Sequence, residues 1–326
     1  MGRRSRERRA RRGWLVPWMM PLLRVLATRV RKAKPRAAYR LALVLGDLLR
    51  WSGVTRQVVR RNLALTLGRA PSRAERRRFE TRYYRHLALL GVEFLRQPEL
   101  GLDDLRDMFE PEGLERARDV HAEGRGVIFV TGHSGSWELA GHAAGLLGLQ
   151  LLSVAKLSGH EAIDGFVSGI REAGGQRIRD VKGSMWAMKK ALDRGESVGI
   201  NVDQEVRQGA VYTPFFGMLA SSSSAPALLH LKTGAPILVV AAHRTGPFRY
   251  RLEVLDEVRH PKGPDQAADV QIITARLNSA LEQGLRLRPE QWLWSHRRWR
   301  RRPPGEAPDE FRRIADVPPL ELFPEG

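Results

Sequence analysis

The stretch Gly126-Val127-Ile128-Phe129-Val130-Thr131-Gly132-His133-Ser134-Gly135-Ser136-Trp137-Glu138 decides how this chain folds. Its first six residues form an apolar run of strand length. A strand apolar at every position is covered on both faces, as in a parallel sheet. Two glycines then flank His133 and permit a tight turn, and Ser136 is placed to start a helix. Strand, turn and helix follow within thirteen residues, and in open α/β sheets chemistry gathers at such junctions.

Working outward, further strands are expected at Leu149–Val154, Ser197–Val202 and Pro236–Ala242. Helical patterns lie between them at 137–144, 161–173, 183–193 and 225–233. Phe248–Leu255 alternates apolar and polar residues, as a half-exposed antiparallel edge does. Residues 266–287 read as a closing helix. Toward the N-terminus, 38–65 and 72–97 have helical spacing, the second opened by the capping-box pair Ser72 and Glu75. The expected fold class is therefore α/β, a mostly parallel central sheet flanked by helices, preceded by a helical, membrane-associating N-terminal region. The organisation expected is a basic leader with an interfacial apolar segment (1–34), a main domain (35–302; helical over 35–100, α/β over 101–302) and a Pro- and charge-rich tail (303–326).

With 326 residues, 42 % apolar and 28 % charged, the chain is globular in composition rather than disordered or polytopic. It has no cysteine, which excludes disulfides, thiolate metal sites and a cysteine nucleophile. No metal-binding cluster is evident, so no metal is expected. The net charge of +19 calls for an anionic partner. Seven arginines crowd residues 1–12, and a second block is His296-Arg297-Arg298-Trp299-Arg300-Arg301-Arg302. After the first block, Gly13–Leu23 is apolar but too short and too rich in proline to span a bilayer with ease. It reads as the apolar core of a secretory signal, as a helix packed on the domain or, the favoured reading, as a segment in the membrane interface with Trp14 and Trp18 at headgroup depth. Trp292, Trp294, Arg297 and Arg298 suit the same interface, where rings sit among headgroups and guanidinium groups meet phosphate. No nucleic-acid motif accompanies the charge, so nucleic acid is not expected as a partner.

His133 and Glu138 are five apart, which on a continuous helix sets them about 140° apart. They converge only if the histidine sits in the turn and the glutamate in the first helical turn. The carboxylate would then fix the imidazole tautomer and leave the other nitrogen as a base. A competing reading takes Gly132-His133-Ser134-Gly135-Ser136 as a near match to the Gly-x-Ser-x-Gly elbow of serine hydrolases, with Ser134 as nucleophile. A third makes the chain a non-catalytic basic protein that binds membrane or polymer.

Five blocks in order resemble the bacterial lipid A biosynthesis acyltransferases, the late lauroyl and myristoyl transferases related to glycerolipid acyltransferases. They are Thr131-Gly132-His133 through Gly141; Val202-Asp203-Gln204; Pro214-Phe215-Phe216-Gly217; Lys232-Thr233-Gly234-Ala235-Pro236; and Gln291-Trp292-Leu293-Trp294 with His296-Arg297-Arg298-Trp299. The similarity spans about residues 35–302. One departure is Ser221-Ser222-Ser223-Ser224, where the family often has a threonine.

The resemblance implies acyl transfer from a thioester to a hydroxyl of an anionic glycolipid such as a lipid A precursor. His133 would take the hydroxyl proton, with Glu138 holding its ring. Backbone N–H groups at the helix start, or Arg177, would face the oxyanion. Arg177 or Arg179 matches a basic position of the family. Asp203 and Gln204 would position polar substrate groups. Phe215, Phe216 and Gly217 would line the acyl path, unless they form a hydrophobic turn packed in the core. No cofactor is expected beyond the co-substrate, acyl carrier protein or coenzyme A thioester, with the acidic carrier protein favoured by the basic surface. A monomer at the cytoplasmic face of the bacterial inner membrane, on anionic lipids, completes the expectation.

Overall fold

The computed structural model of the chain describes residues 16–307, 311–314 and 317–323. Four helices come first: α1 (Val16–Lys32), α2 (Pro35–Ser52), α3 (Arg56–Leu67) and α4 (Arg73–Arg96). The expected helix over 38–65 is two helices, because Gly53 and Thr55 both take positive φ and end the helical path between them. The expected capping box is present: Ser72 Oγ accepts from Glu75 N–H, and the Glu75 carboxylate accepts from Ser72 N–H. Helices α5 (Leu102–Met108) and α6 (Pro111–Ala122) lead into the sheet.

The sheet region runs β1 (Ile128–Thr131), α7 (Trp137–Leu146), β2 (Leu152–Ala155), α8 (Glu161–Glu172), β3 (Arg177–Asp180), α9 (Ser184–Asp193) and β4 (Val198–Asn201). A two-stranded hairpin follows, β5 (Ala210–Phe215) and β6 (Met218–Ser223), then α10 (Ala225–Thr233), β7 (Ile237–Gly246), β8 (Arg249–Val258) and α11 (Gln266–Leu287). The six-stranded sheet has order β3-β2-β4-β1-β7-β8; β8 is antiparallel to β7 and the other pairs are parallel. The fold is thus α/β with a mostly parallel sheet, as expected. Strand β3 and the β5–β6 hairpin are elements the sequence reading did not place.

Period-two alternation divides the core. Ile128, Val130, Val198, Ile200, Ile237 and Val239 face one layer, closed by α3, α4, α9, α10 and α11. Val127, Phe129, Leu151, Leu238 and Val240 face the other, closed by α5, α6 and α7. Burial on both sides is why these strands read as unbroken apolar runs. The C-terminal segment lies on the first layer, where Leu320 and Leu322 are buried and Leu320 N–H donates to Thr66 O at 3.0 Å.

Helices α1 and α2 pack against α4. Arg96 of α4 donates to the carbonyls of Val30 (2.8 Å) and Ala33 (2.7 Å) at the end of α1. Gly46 lets α2 come so close to α4 that a Cβ there would lie 2.4 Å from Arg85 Cα. Their outward faces are apolar: Trp18, Leu22 and Val25 form a stripe on α1, and Leu41, Val44, Leu48 and Trp51 one on α2, all exposed. Among the described residues, no helix is long and apolar enough to cross a membrane.

Candidate active site

Strands β1 and β4 are neighbours, with Thr131 opposite Asn201. Two residues further along each chain stand His133 and Asp203, so the register itself sets them face to face. The chain leaves β1 toward β2 through α7 on one layer. It leaves β4 toward β7 through α10 on the other. The crevice between their carboxyl ends is therefore the topological switch point of the sheet.

The turn carrying His133 is held from three sides. Gly135 has φ +59°, and a Cβ there would lie 1.9 Å from Ala242 O of β7, so only glycine fits this approach. Gly135 N–H donates to Gln291 O (2.9 Å) and Ser136 N–H to Ala242 O (2.7 Å). Ser136 is the N-cap of α7, but its hydroxyl does not cap the helix; it donates to Glu93 Oε2 at 2.9 Å. Glu93, on α4, also receives a bidentate pair from Arg244 of β7 at 2.7 and 2.6 Å. All three groups are buried. Removing one partner of such a pair strands the other charge, at a cost of about 3–5 kcal/mol.

His133 Nδ1–H donates to Asp203 Oδ1 at 2.7 Å. The other oxygen, Asp203 Oδ2, accepts from His133 N–H (2.7 Å) and from Trp292 Nε1–H (2.8 Å). Burial would raise the Asp203 pKa, but the His133 ring and these donors outweigh it and hold the carboxyl well below the usual range. Burial alone would lower the His133 pKa. The charge and hydrogen bond of Asp203, with the charge of Glu138, reverse this and raise it above the ordinary value. With Nδ1 committed, the tautomer is fixed and Nε2 is left with a lone pair able to accept a proton. Gln204 Nε2–H donates to that lone pair at 3.2 Å and reaches His296 Nε2 at 2.9 Å.

A cavity of about 360 Å³ opens beside the imidazole. Residues of five strands line it: Phe129 and Thr131 from β1, Leu151, Ser153, Val154 and Ala155 along β2, Ile178 from β3, Gly199, Ile200 and Asn201 from β4, and Val240 and Ala242 from β7. It therefore runs along the strands, from His133, Trp137 and Glu138 toward Leu114 and Ala117 of α6. The run from Leu151 to Ala155 alone covers roughly 13 Å at about 3.3 Å per residue. A long apolar channel with a base at its polar end suits an extended alkyl chain whose carbonyl lies at the base.

The structure corrects several expectations about individual residues. Glu138 lines the cavity but does not hold the His133 ring: Arg171 of α8 takes both its oxygens, at 2.8 and 2.6 Å, and Asp203 occupies Nδ1. Arg177 and Arg179 share the face of β3 opposite the cavity-lining Gln176 and Ile178. Both are exposed, and Arg177 pairs with Glu196, so neither meets an oxyanion at His133. Phe215, Phe216 and Gly217 do not line the cavity. They form the β5–β6 turn, with Phe216 and Gly217 both at positive φ, and both rings are fully buried against Trp292; Phe215 also packs on Trp299.

Trp292 and Trp294 are likewise core residues rather than headgroup anchors. Their ring N–H groups are spent on Asp203 Oδ2 and on Pro289 O. Arg298 is fully buried. It donates to Ser221 O and Ser222 Oγ and lies over the Phe215 ring, and burial lowers its pKa to about 10. Arg297 and Trp18 are exposed. Trp14 and the arginine block at 1–12 lie outside the described residues. Ser134 is buried and its hydroxyl has no hydrogen-bond partner among the described residues, so the serine elbow is not assembled. Asp203 and Gln204 do stand at the site, Asp203 as partner of the base. Arg171 was missed altogether, because only the packing of α8 on α7 brings it to Glu138.

Over 210 residues the chain is 28 % identical to a lipid A biosynthesis palmitoleoyltransferase of Escherichia coli (strain K12), and to a lipid A biosynthesis acyltransferase of Shigella flexneri. Each alignment covers 62 % of this chain and 65 % of the relative, so the match spans just under two thirds of those proteins. A lipid A biosynthesis lauroyltransferase of E. coli K12 is 27 % identical over 275 residues, covering 82 % of this chain and 86 % of that one. The family description "Bacterial lipid A biosynthesis acyltransferase" matches residues 2–301. With nearly the whole chain matched, this protein belongs to the bacterial lipid A biosynthesis acyltransferase family.

Proposed function

We propose that this protein transfers a fatty acyl chain from an acyl thioester to a hydroxyl of an anionic glycolipid of the lipid A precursor class. The observation that carries the reading is the His133–Asp203 pair, with Nε2 kept as a base at the mouth of an apolar channel. Nε2 takes the proton of the acceptor hydroxyl, and the oxygen attacks the thioester carbonyl at the channel mouth. The tetrahedral adduct collapses with loss of thiolate, which recovers the proton from the imidazolium. No covalent enzyme intermediate is needed. The names of the relatives support the acceptor class.

The exposed apolar stripes of α1 and α2, with the +19 charge, support docking on an anionic bilayer, and the cytoplasmic face of the inner membrane is where acyl thioesters would be met. The same charge favours an acidic acyl carrier protein over coenzyme A as donor. Lipid mass spectrometry of cells with the parent or with His133→Ala tests the reading. A glycolipid that loses one acyl chain in the variant supports it. Identical lipid profiles, with the variant present at parental abundance, overturn it.

A further inference from the structure

On the acyl-transfer reading above, a donor is needed for the negative charge that develops on the thioester oxygen. Several of the groups expected for this are otherwise engaged. His133 N–H is bound to Asp203, Gly135 N–H to Gln291 O and Ser136 N–H to Ala242 O. Arg177 faces away from the cavity, and Arg171 is bound edge-on to Glu138.

The Gln204 amide is different. It lines the cavity, and its nitrogen lies 3.2 Å from His133 Nε2 and 2.9 Å from His296 Nε2. Because Nδ1–H is given to Asp203, His133 Nε2 is an acceptor, so the amide must present its NH2 group rather than its oxygen. One N–H caps the base and the second holds His296. The backbone that carries the His296 ring is held: its carbonyl accepts from Asn62 Nδ2 (2.6 Å), and its N–H donates to Leu293 O (3.2 Å). Burial and the neighbouring His133 lower the His296 pKa, which keeps its ring neutral and able to accept.

We infer that Gln204 is the oxyanion donor of this enzyme and that His296 is the positioning residue that aims it. The incoming hydroxyl takes the place of the amide at His133 Nε2. Gln204 keeps its bond to His296, and the N–H released from the base is left beside the reacting carbonyl. As the acceptor oxygen bonds to carbon and its proton passes to Nε2, the carbonyl π pair moves onto oxygen, where that N–H meets it. Collapse restores the carbonyl, breaks the C–S bond, returns the proton to the leaving sulfur and lets the amide cap the base again. The group that masks the base at rest would thus stabilise the charge the base creates.

The test measures thiol release by the full-length protein from lauroyl-acyl carrier protein and from lauroyl-coenzyme A, each with a lipid A precursor present as the hydroxyl acceptor, with kcat and KM separated. Gln204→Ala and the isosteric Gln204→Glu, which has no N–H to donate, are each expected to lower kcat by about 10²- to 10³-fold with KM changed less than about threefold. His296→Ala is expected to lower kcat by about tenfold. His296→Gln, whose side-chain oxygen can accept the same bond, is expected to recover most of the loss. Either Gln204 variant, if folded by circular dichroism, keeping kcat within about threefold of the parent overturns the inference, as does a loss confined to KM. Should His133→Ala release thiol as fast as the parent, or the parent release none from either donor, the acyl-transfer reading fails and this inference with it. A silent His133→Ala is thus told apart from a silent Gln204→Ala.

Discussion

Replacing Asp203 with asparagine is expected to reverse the tautomer of His133 rather than merely weaken its support. Two donors, His133 N–H and Trp292 Nε1–H, converge on Oδ2 at 2.7 and 2.8 Å. The single oxygen of asparagine must stay there, since turning the amide over would set an NH2 against both. Its nitrogen then occupies the Oδ1 position, 2.7 Å from Nδ1, and can only donate. Nδ1 becomes the acceptor, the proton moves to Nε2, and the base is lost. The same exchange in serine proteases lowers kcat about 10⁴-fold, equivalent to about 5.5 kcal/mol at about 1.36 kcal/mol per decade. All three hydrogen bonds are re-formed, so stability should fall by only about 1 kcal/mol. Two assays check this: thioester-to-lipid transfer across pH, and ¹⁵N NMR of the imidazole. In the parent the rate should fall as pH drops through a value above the ordinary imidazole pKa of about 6.5, because Asp203 and Glu138 favour the protonated ring. In the variant, the residual rate should hold to lower pH, since the negative charge is gone. An asparagine variant within tenfold of parental kcat/KM, with Nδ1 still protonated, would refute this account.

Ser134→Ala should leave transfer within about twofold of the parent and stability unchanged or slightly higher, since the buried hydroxyl it removes has no partner among the described residues. Labelling of Ser134 by a fluorophosphonate would contradict this. Gly141 of α7 faces the channel, and a Cβ there would lie 3.0 Å from Gln176 Oε1. Gly141→Val should therefore shift preference toward shorter acyl chains, by about 0.8 kcal/mol or roughly fourfold for each methylene denied room. Competition between ten- and sixteen-carbon thioesters reads this out, and an unaltered ranking would place the chain elsewhere. Trp18→Asp with Leu22→Asp, both exposed on α1, should weaken sedimentation with anionic vesicles by tenfold or more while leaving the melting temperature unchanged. Undiminished sedimentation would remove α1 from the docking surface.

The sheet was legible because its signals are local. A run such as Val127–Val130, apolar at each position, has few other uses, and the helices between the strands carry their own spacing. The position of His133 was legible for the same reason, as the polar residue in a glycine turn after the strongest strand. Its partner was not. Glu138 is near in sequence and chemically suitable, whereas Asp203 lies 70 residues on and meets the ring only through the register of β1 with β4. The arginines failed differently. Arg177 and Arg179 alternate with the residues that line the channel, so the face they occupy depends on a strand too polar to be recognised as one. Tryptophans set among arginines fit a membrane interface in composition, but nothing local reveals that carbonyls and Asp203 wait to receive their ring N–H groups. Hydrogen-bond supply, set by tertiary packing, decided between surface and core.

The buried link from Glu93 to Arg244 and Ser136 has a mechanical consequence. It bolts α4, on which α1 and α2 ride, to the turn that bears the imidazole. If those two helices rest on lipid, no hinge intervenes between keel and catalyst, so the depth at which the protein floats also sets the height of the base above the headgroups. Acceptors would then be sorted by how far their hydroxyl stands from the plane of the bilayer, a selection made by the draught of the vessel before any pocket is entered.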